Sequence, residues 1–231
     1  MRLALLCLTS AFFVFAPSSQ AHQGSSAHAA SNVHVAKGSI DILGEIDDRT
    51  LVPAQKKFDE LVAAGEKTVL FRIDTPGGNV FMGLDFINHV LDAKYANNLK
   101  IQCVARGKLM SMGLAIYEGI CDERYVVPGT MFLAHGAATS TQGNADAIAS
   151  TLSELKAMND ALAEINSARM NISVQEYHRR TDHQNWFFAT QEALAVGAAD
   201  AVIPASSLPP PSELEVTPDD AMEKLKKLLG G

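Results

Sequence analysis

From Ser39 onward, short apolar runs alternate with longer stretches in which apolar residues return every three or four positions. The runs "SIDILGEI" (39–46), "KTVLFRI" (67–73), "KIQCVAR" (100–106), "RYVVPGTMFLAH" (124–135) and "DAVI" (200–203) predict strands. Between them, "TLVPAQKKFDELVAAG" (50–65) predicts a helix closed by Gly65, and "VFMGLDFINHVLDAKY" (80–95) a second. A third, buried helix follows Ser111. From 144 to 170 the positions Ile148, Leu152, Leu155, Met158, Leu162 and Ile165 form one stripe, which predicts a single long amphipathic helix. Ser173 and Glu176 have capping-box spacing and open a short helix through Tyr177, and Thr190 caps "QEALAVG", which stops at Gly197. This strand–helix rhythm predicts an α/β domain built on a parallel sheet, with no internal repeat.

The two ends read differently. Residues 1–21 place Arg2 before an apolar run from Leu3 to Phe15, then Pro17 and small residues up to Ala21, the layout of a signal peptide removed on export. The run is too short to span a bilayer comfortably, and no later stretch is long and apolar enough, so no stable membrane anchor is expected. Residues 22–37 are small, polar and aperiodic, as expected of a flexible arm; their three histidines have no metal-ligand spacing, and no metal site is expected. The domain proper is placed at 38–204. Residues 205–231 read as a proline-rich linker and a short helix with Thr217 as N-cap and Pro218 at its first position.

Composition narrows the field further. Of 231 residues 47% are apolar, enough for one substantial core, and the formal charge of -7 is spread among interspersed acids and bases, which leaves no basic stripe for nucleic acid. Cys7 leaves with the signal segment. Cys103 and Cys121 remain, an even pair in a compartment that permits disulfides: either a bridge or two buried thiols.

Three short segments could carry chemistry. In "DTPGGN" (74–79) two glycines between a strand and a helix bring backbone N–H groups to a helix start, as an oxyanion hole requires, although steric turns use the same pair. In "KLMSMGLAIYEG" (108–119) Ser111 stands at a helix N-terminus, either a nucleophile or a cap. His135 ends an apolar strand and is either a general base or a lone histidine. Each falls at the carboxyl end of a successive predicted strand, the edge where open α/β sheets bind ligands.

In that order the segments resemble the Clp protease proteolytic subunit (ClpP) family of the ClpP/crotonase superfamily. "GEIDD", "DTPGGNV", "GKLMSMG", "RYVVPGTMFLAH", "TQGNADAI" and "FFATQEALAVGAADAVI" are similar to successive motifs of that family over about residues 38–204. The resemblance implies a spiral of ββα units with a long handle helix at 144–170. It implies Ser111 as nucleophile, His135 as general base, and the N–H groups of Gly78 and Met112 as the oxyanion hole of a serine peptidase that needs no cofactor. Peptides or unfolded proteins would be substrates, and a homo-oligomer is implied.

Two positions depart from the family pattern. Where the family has the aspartate of its triad, this chain reads "RRTDHQNWFF": counting back from Phe187 gives Asn185, counting forward from His135 gives Gln184, and Asp182 is the nearest carboxylate. An asparagine carbonyl can orient an imidazole but brings no full charge to stabilise imidazolium. The proline that follows the family's histidine is replaced by Gly136. The expected function is therefore an exported ClpP-like serine peptidase acting without an ATP-driven unfoldase. The alternative is a binding or assembly module that has kept the fold and lost the triad. Crotonase-like thioester chemistry is a further class, as is a Ser-Lys dyad using Lys108 or Lys100, both read as solvated surface charges.

Overall fold

The computed structural model of the chain describes residues 39–208. The expected signal segment, N-terminal arm, most of the linker and the C-terminal helix lie outside the described residues. Among the described residues seven strands form one sheet: β1 (Ser39–Leu43), β2 (Thr68–Thr75), β3 (Lys100–Met110), β4 (Glu123–Val126), β5 (Met131–Ala134), β6 (Trp186–Ala189) and β7 (Ala201–Val202). Strands β1, β2, β3, β4 and β7 are neighbours in that order and all parallel. The helices are α1 (Asp48–Ala63), α2 (Val80–Asn97), α3 (Met112–Ile120), α4 (Ala145–Ser167), α5 (Val174–Thr181) and α6 (Thr190–Ala195).

Helices α1 to α4 pack side by side in chain order, and with the sheet they bury the main core, which includes Phe58, Phe71, Phe86, Ile101 and Ile116. A small second cluster of Leu70, Val104, Tyr125 and Ile203 covers the other face of the sheet. On that face Arg72, 1% exposed, donates from Nε and Nη2 to the two oxygens of its register partner Asp41 at 2.6 Å each, so the buried guanidinium is held by a bidentate fork.

The mixed α/β architecture and the long helix agree with expectation; the differences concern the strands around β3 and β5. The predicted single strand 124–135 is two strands, broken at Pro128–Gly129, where Gly129 takes φ 85° and the Thr130 N–H donates to the Val127 carbonyl. Strand β4 pairs with the first half of β3 and β5 with its second half, so the break slides the chain along one neighbour instead of ending the pairing. Strand β3 itself runs on through Met110, past an irregular register at Ile73 to Thr75 and a left-handed Gly107.

Strand β6 was not anticipated. Its four residues alternate buried and exposed, with Trp186 and Phe188 inward, and it pairs antiparallel with β5. Trp186 stacks on Phe188 at 4.5 Å and Phe188 on Phe132 at 5.0 Å, while the Arg180 guanidinium lies 4.5 Å over the indole. Smaller corrections follow the caps: α1 begins two residues before the expected Thr50, because the Asp47 side chain caps it by accepting from the Arg49 and Thr50 N–H groups. Helix α5 reaches Thr181 rather than Tyr177, and Thr190 is the first residue of α6, where no side chain caps the helix.

Candidate active site

Ser111 sits between β3 and α3 in the N-cap position, yet its side chain makes no capping hydrogen bond. Its backbone adopts φ 53° and ψ −126°, a conformation that costs a non-glycine residue about 1–3 kcal/mol and persists only where surroundings enforce it. The surroundings are visible. The Ser111 N–H donates to the Leu133 carbonyl at 2.8 Å, and the Ser111 carbonyl accepts from Leu114 N–H at 2.9 Å. Gly113 lets α3 start against β2, since a Cβ there would lie 2.1 Å from Thr75 Cγ2. The capping alternative is thereby disfavoured, because the hydroxyl is left free of the helix.

The "TPGG" turn closes on the same residue. A Cβ at Gly77 would stand 2.5 Å from Ser111 Cβ and 3.1 Å from its Oγ, so glycine is required for this approach. The Ile46 N–H donates to the Gly77 carbonyl and the Asn79 N–H to the Ile46 carbonyl, both at 2.8 Å. These two bonds form a bridge to Ile46 from the residues on either side of Gly78, and the Gly78 N–H takes no part in it. Met112 is the first residue of α3, where the helix itself offers its N–H no partner. Its side chain is buried against Gly83.

His135 directly follows β5, whose parallel register with β3 matches Met110 to Leu133. Ser111 and His135 therefore leave adjacent strands at one edge, where strand spacing is about 4.8 Å. On the other side of β5, the ladder with β6 ends with Ala134 opposite Trp186. Asn185 directly precedes β6, as His135 directly follows β5, and both residues line one cleft.

The other residues considered for this third position point elsewhere. Asp182 closes α5, 54% of its side chain is exposed, and its Oδ1 lies 3.4 Å from His178 Nδ1. Gln184 donates from Nε2 to the Arg179 carbonyl at 3.0 Å. Between them His183 takes φ 61°, turning the loop back toward the sheet. The loop and the segment after His135 wall an open cleft of about 420 Å³, lined by His135, Gly136, Ala137, Asn159 and residues 181–185.

Neither lysine suits a Ser-Lys dyad. Lys108 Nζ is engaged by Asp74 Oδ1 at 2.9 Å, and Lys100, at the far end of β3, pairs with Glu123. Cys103 and Cys121 are joined as a disulfide with Cα atoms 5.7 Å apart. It ties β3 to the residue after α3 and so closes the loop that carries Ser111. Among the described residues no group of three or more His, Cys, Asp or Glu is placed to hold a metal ion. No described helix is long and apolar enough to cross a membrane.

Sequence reasoning missed the charges beneath this unit. Glu118 on α3 is fully buried; its Oε2 accepts from Arg124 Nη1, and Oε1 has no hydrogen-bond partner among the described residues. Arg124 also donates from Nη2 to Asp200 Oδ1 at 2.7 Å. Burial outweighs the Arg124 attraction and pushes the Glu118 carboxyl up to about 8. The signal was present: Glu118 is the one charge inside the apolar run "MGLAIYEGI".

Comparison with known proteins gives this geometry its context. The family model described as Clp protease matches residues 22–206. The chain is 28% identical over 166 residues to the ATP-dependent Clp protease proteolytic subunit 3 of Rhizobium johnstonii, covering 71% of this chain and 83% of the relative. It is 29% identical, with the same coverage, to the protein of the same name from Rhizobium meliloti. The match spans both glycine turn and serine, histidine strand and long helix, and the chain belongs to the Clp protease family.

Proposed function

We propose that the chain is an exported serine peptidase that hydrolyses short or unfolded peptides through an acyl-enzyme, without an ATP-driven unfoldase. The observation that carries this reading is Ser111: strained, uncapped and pressed against the Gly77 turn at the strand edge shared with His135. In the proposed reaction Ser111 Oγ attacks the peptide carbonyl while His135 takes its proton. The Gly78 and Met112 N–H groups receive the developing oxyanion, at about 3 kcal/mol per donor. His135 then protonates the leaving amine, and water attacks the ester with the histidine again as base.

Asn185 is proposed to hold the imidazole by accepting a hydrogen bond on its amide oxygen, which orients the ring without a countercharge. Export is supported by the N-terminal "MRLALLCLTSAFFVFAPSSQA" and by the Cys103–Cys121 disulfide, which belongs to an oxidising compartment. Outside the cell membrane ATP is absent, so substrates would reach the site without an unfoldase. Self-association is proposed through the outer half of α4, where Ile148 and Leu152 are exposed on one face.

The test is labelling of the purified protein by a fluorophosphonate probe, together with turnover of unstructured peptides. Labelling that vanishes in Ser111→Ala supports the peptidase. The uncharged Asn185 favours one competing reading, a binding or assembly module of the same fold, and an unlabelled wild type with no peptide turnover would establish it.

A further inference from the structure

Helix α4 presents two asparagines two turns apart on its core-facing side, flanking the buried Leu162 and Ala163. Asn166 Nδ2 donates to the Tyr177 hydroxyl at 2.7 Å, tying α4 to α5. Asn159 Oδ1 accepts the Ala137 N–H at 2.7 Å, tying α4 to the segment that leaves His135. That segment forms no strand and no other hydrogen bond is made by the Ala137 N–H among the described residues. The contact is close on both sides: a Cβ at Gly136 would lie 3.1 Å from Asn159 Nδ2 and 3.4 Å from its Oδ1. On the next residue, Asp160 Oδ1 lies 3.3 Å from His178 Nε2, and the other nitrogen of that ring faces Asp182 on the opposite wall of the cleft.

We propose that Asn159 is a positioning residue for peptide substrates: its amide oxygen holds residues 136–137 as the wall of the cleft beside His135. The inference rests on the peptidase reading, since it assigns a task to the same cleft. A free backbone segment after the histidine would sample many conformations, and ordering it on each binding event would weaken substrate affinity. Asn159 removes that cost before the peptide arrives. It touches neither Ser111 nor the imidazole in the geometry described, so the chemistry at Ser111 proceeds without it.

The experiment compares the full chain with Asn159→Ala and Asn159→Asp. Three quantities are read: amide hydrogen exchange at Ala137, KM and kcat for an unstructured peptide, and the rate of fluorophosphonate labelling of Ser111. Asn159→Ala is expected to speed Ala137 exchange at least tenfold and raise KM about tenfold, with kcat and labelling rate within about twofold of wild type. Asn159→Asp keeps an acceptor at the same place and is expected to bring exchange and KM back to within about threefold. Unchanged Ala137 exchange in Asn159→Ala overturns the proposal, as does an Asn159→Asp protein as impaired as the alanine variant. A fall in labelling rate equal to the fall in peptide turnover also overturns it, because the residue would then act on the nucleophile or the fold. If the wild type turns over no peptide, the peptidase reading fails, and the clamp is decided by Ala137 exchange alone.

Discussion

The Ser111 N–H donates to the carbonyl of Leu133, two residues before His135. This single bond, at the end of the β3–β5 register, ties Ser111 to the strand that leads into His135 through the backbone rather than through their side chains. It also helps impose the Ser111 backbone strain, so the two proposed catalytic residues share one structural cause.

That geometry makes Gly77 a direct test of the proposed site. Gly77→Ala would force a Cβ to within 2.5 Å of Ser111 Cβ and 2.9 Å of the Met110 carbonyl at φ 94°. A displacement of about 1 Å at a nucleophile costs on the order of a hundredfold in rate. Peptide turnover and probe labelling of Gly77→Ala are expected to fall together by that factor, with circular dichroism checking that the fold remains.

Asn185 tests the third position directly. With Asn185 as the proposed partner of His135 in their shared cleft, Asn185→Asp adds the missing countercharge for imidazolium, and kcat is expected to rise by about tenfold or more. Asp182→Asn, which alters a carboxylate turned toward His178, is expected to leave kcat within about twofold. Steady-state kinetics on the two variants separates the positions.

The disulfide should behave as a structural clip. Both sulfurs belong to buried residues, Cys103 at 0% and Cys121 at 2% exposure, so thiol reagents with a mild reductant are expected to leave them unmodified until the protein unfolds. Replacing both by serine reopens a loop with a sequence separation of 18 and is expected to cost about 3 kcal/mol, read from urea unfolding.

Glu118 sets a pH dependence of stability. Its carboxyl ionises at about 8 in the folded protein against 4.5 when exposed, because burial outweighs the Arg124 and Arg169 charges while Asp200 repels it. Between those values the folded state holds a proton that the unfolded chain has lost, so this site's contribution to stability falls as pH rises from about 4.5 to 8. Urea midpoints measured across that range are expected to show the decline in the wild type and a flatter profile in Glu118→Gln. Tyr117, on the same helix, stays neutral throughout, its hydroxyl buried and donated to the Tyr125 carbonyl.

Much of the architecture was legible along the chain, because helix stripes and strand runs are local patterns. The stripe from Ile148 to Ile165 marks α4 within a few residues, and the family resemblance of the segments around Gly78, Ser111 and His135 agrees with the Clp protease match. Strand β6 escaped because four residues of period two carry too little signal beside the polar "RRTDHQN", and it packs on Phe132 of β5, more than fifty residues away in sequence. The break of 124–135 into two strands escaped because both halves pair with the same β3, which only the register reveals.

What the sequence alone determined is the set of residue types and their order: two glycines, then a serine before an apolar helix, then a histidine closing a strand. Those follow from local chemistry, the need for small residues at tight turns and for apolar residues in buried segments. What only the tertiary structure decided is which of them meet. Cys103 and Cys121 pair, and Ser111 is strained rather than capped. Both depend on contacts between segments far apart along the chain, which no local pattern encodes.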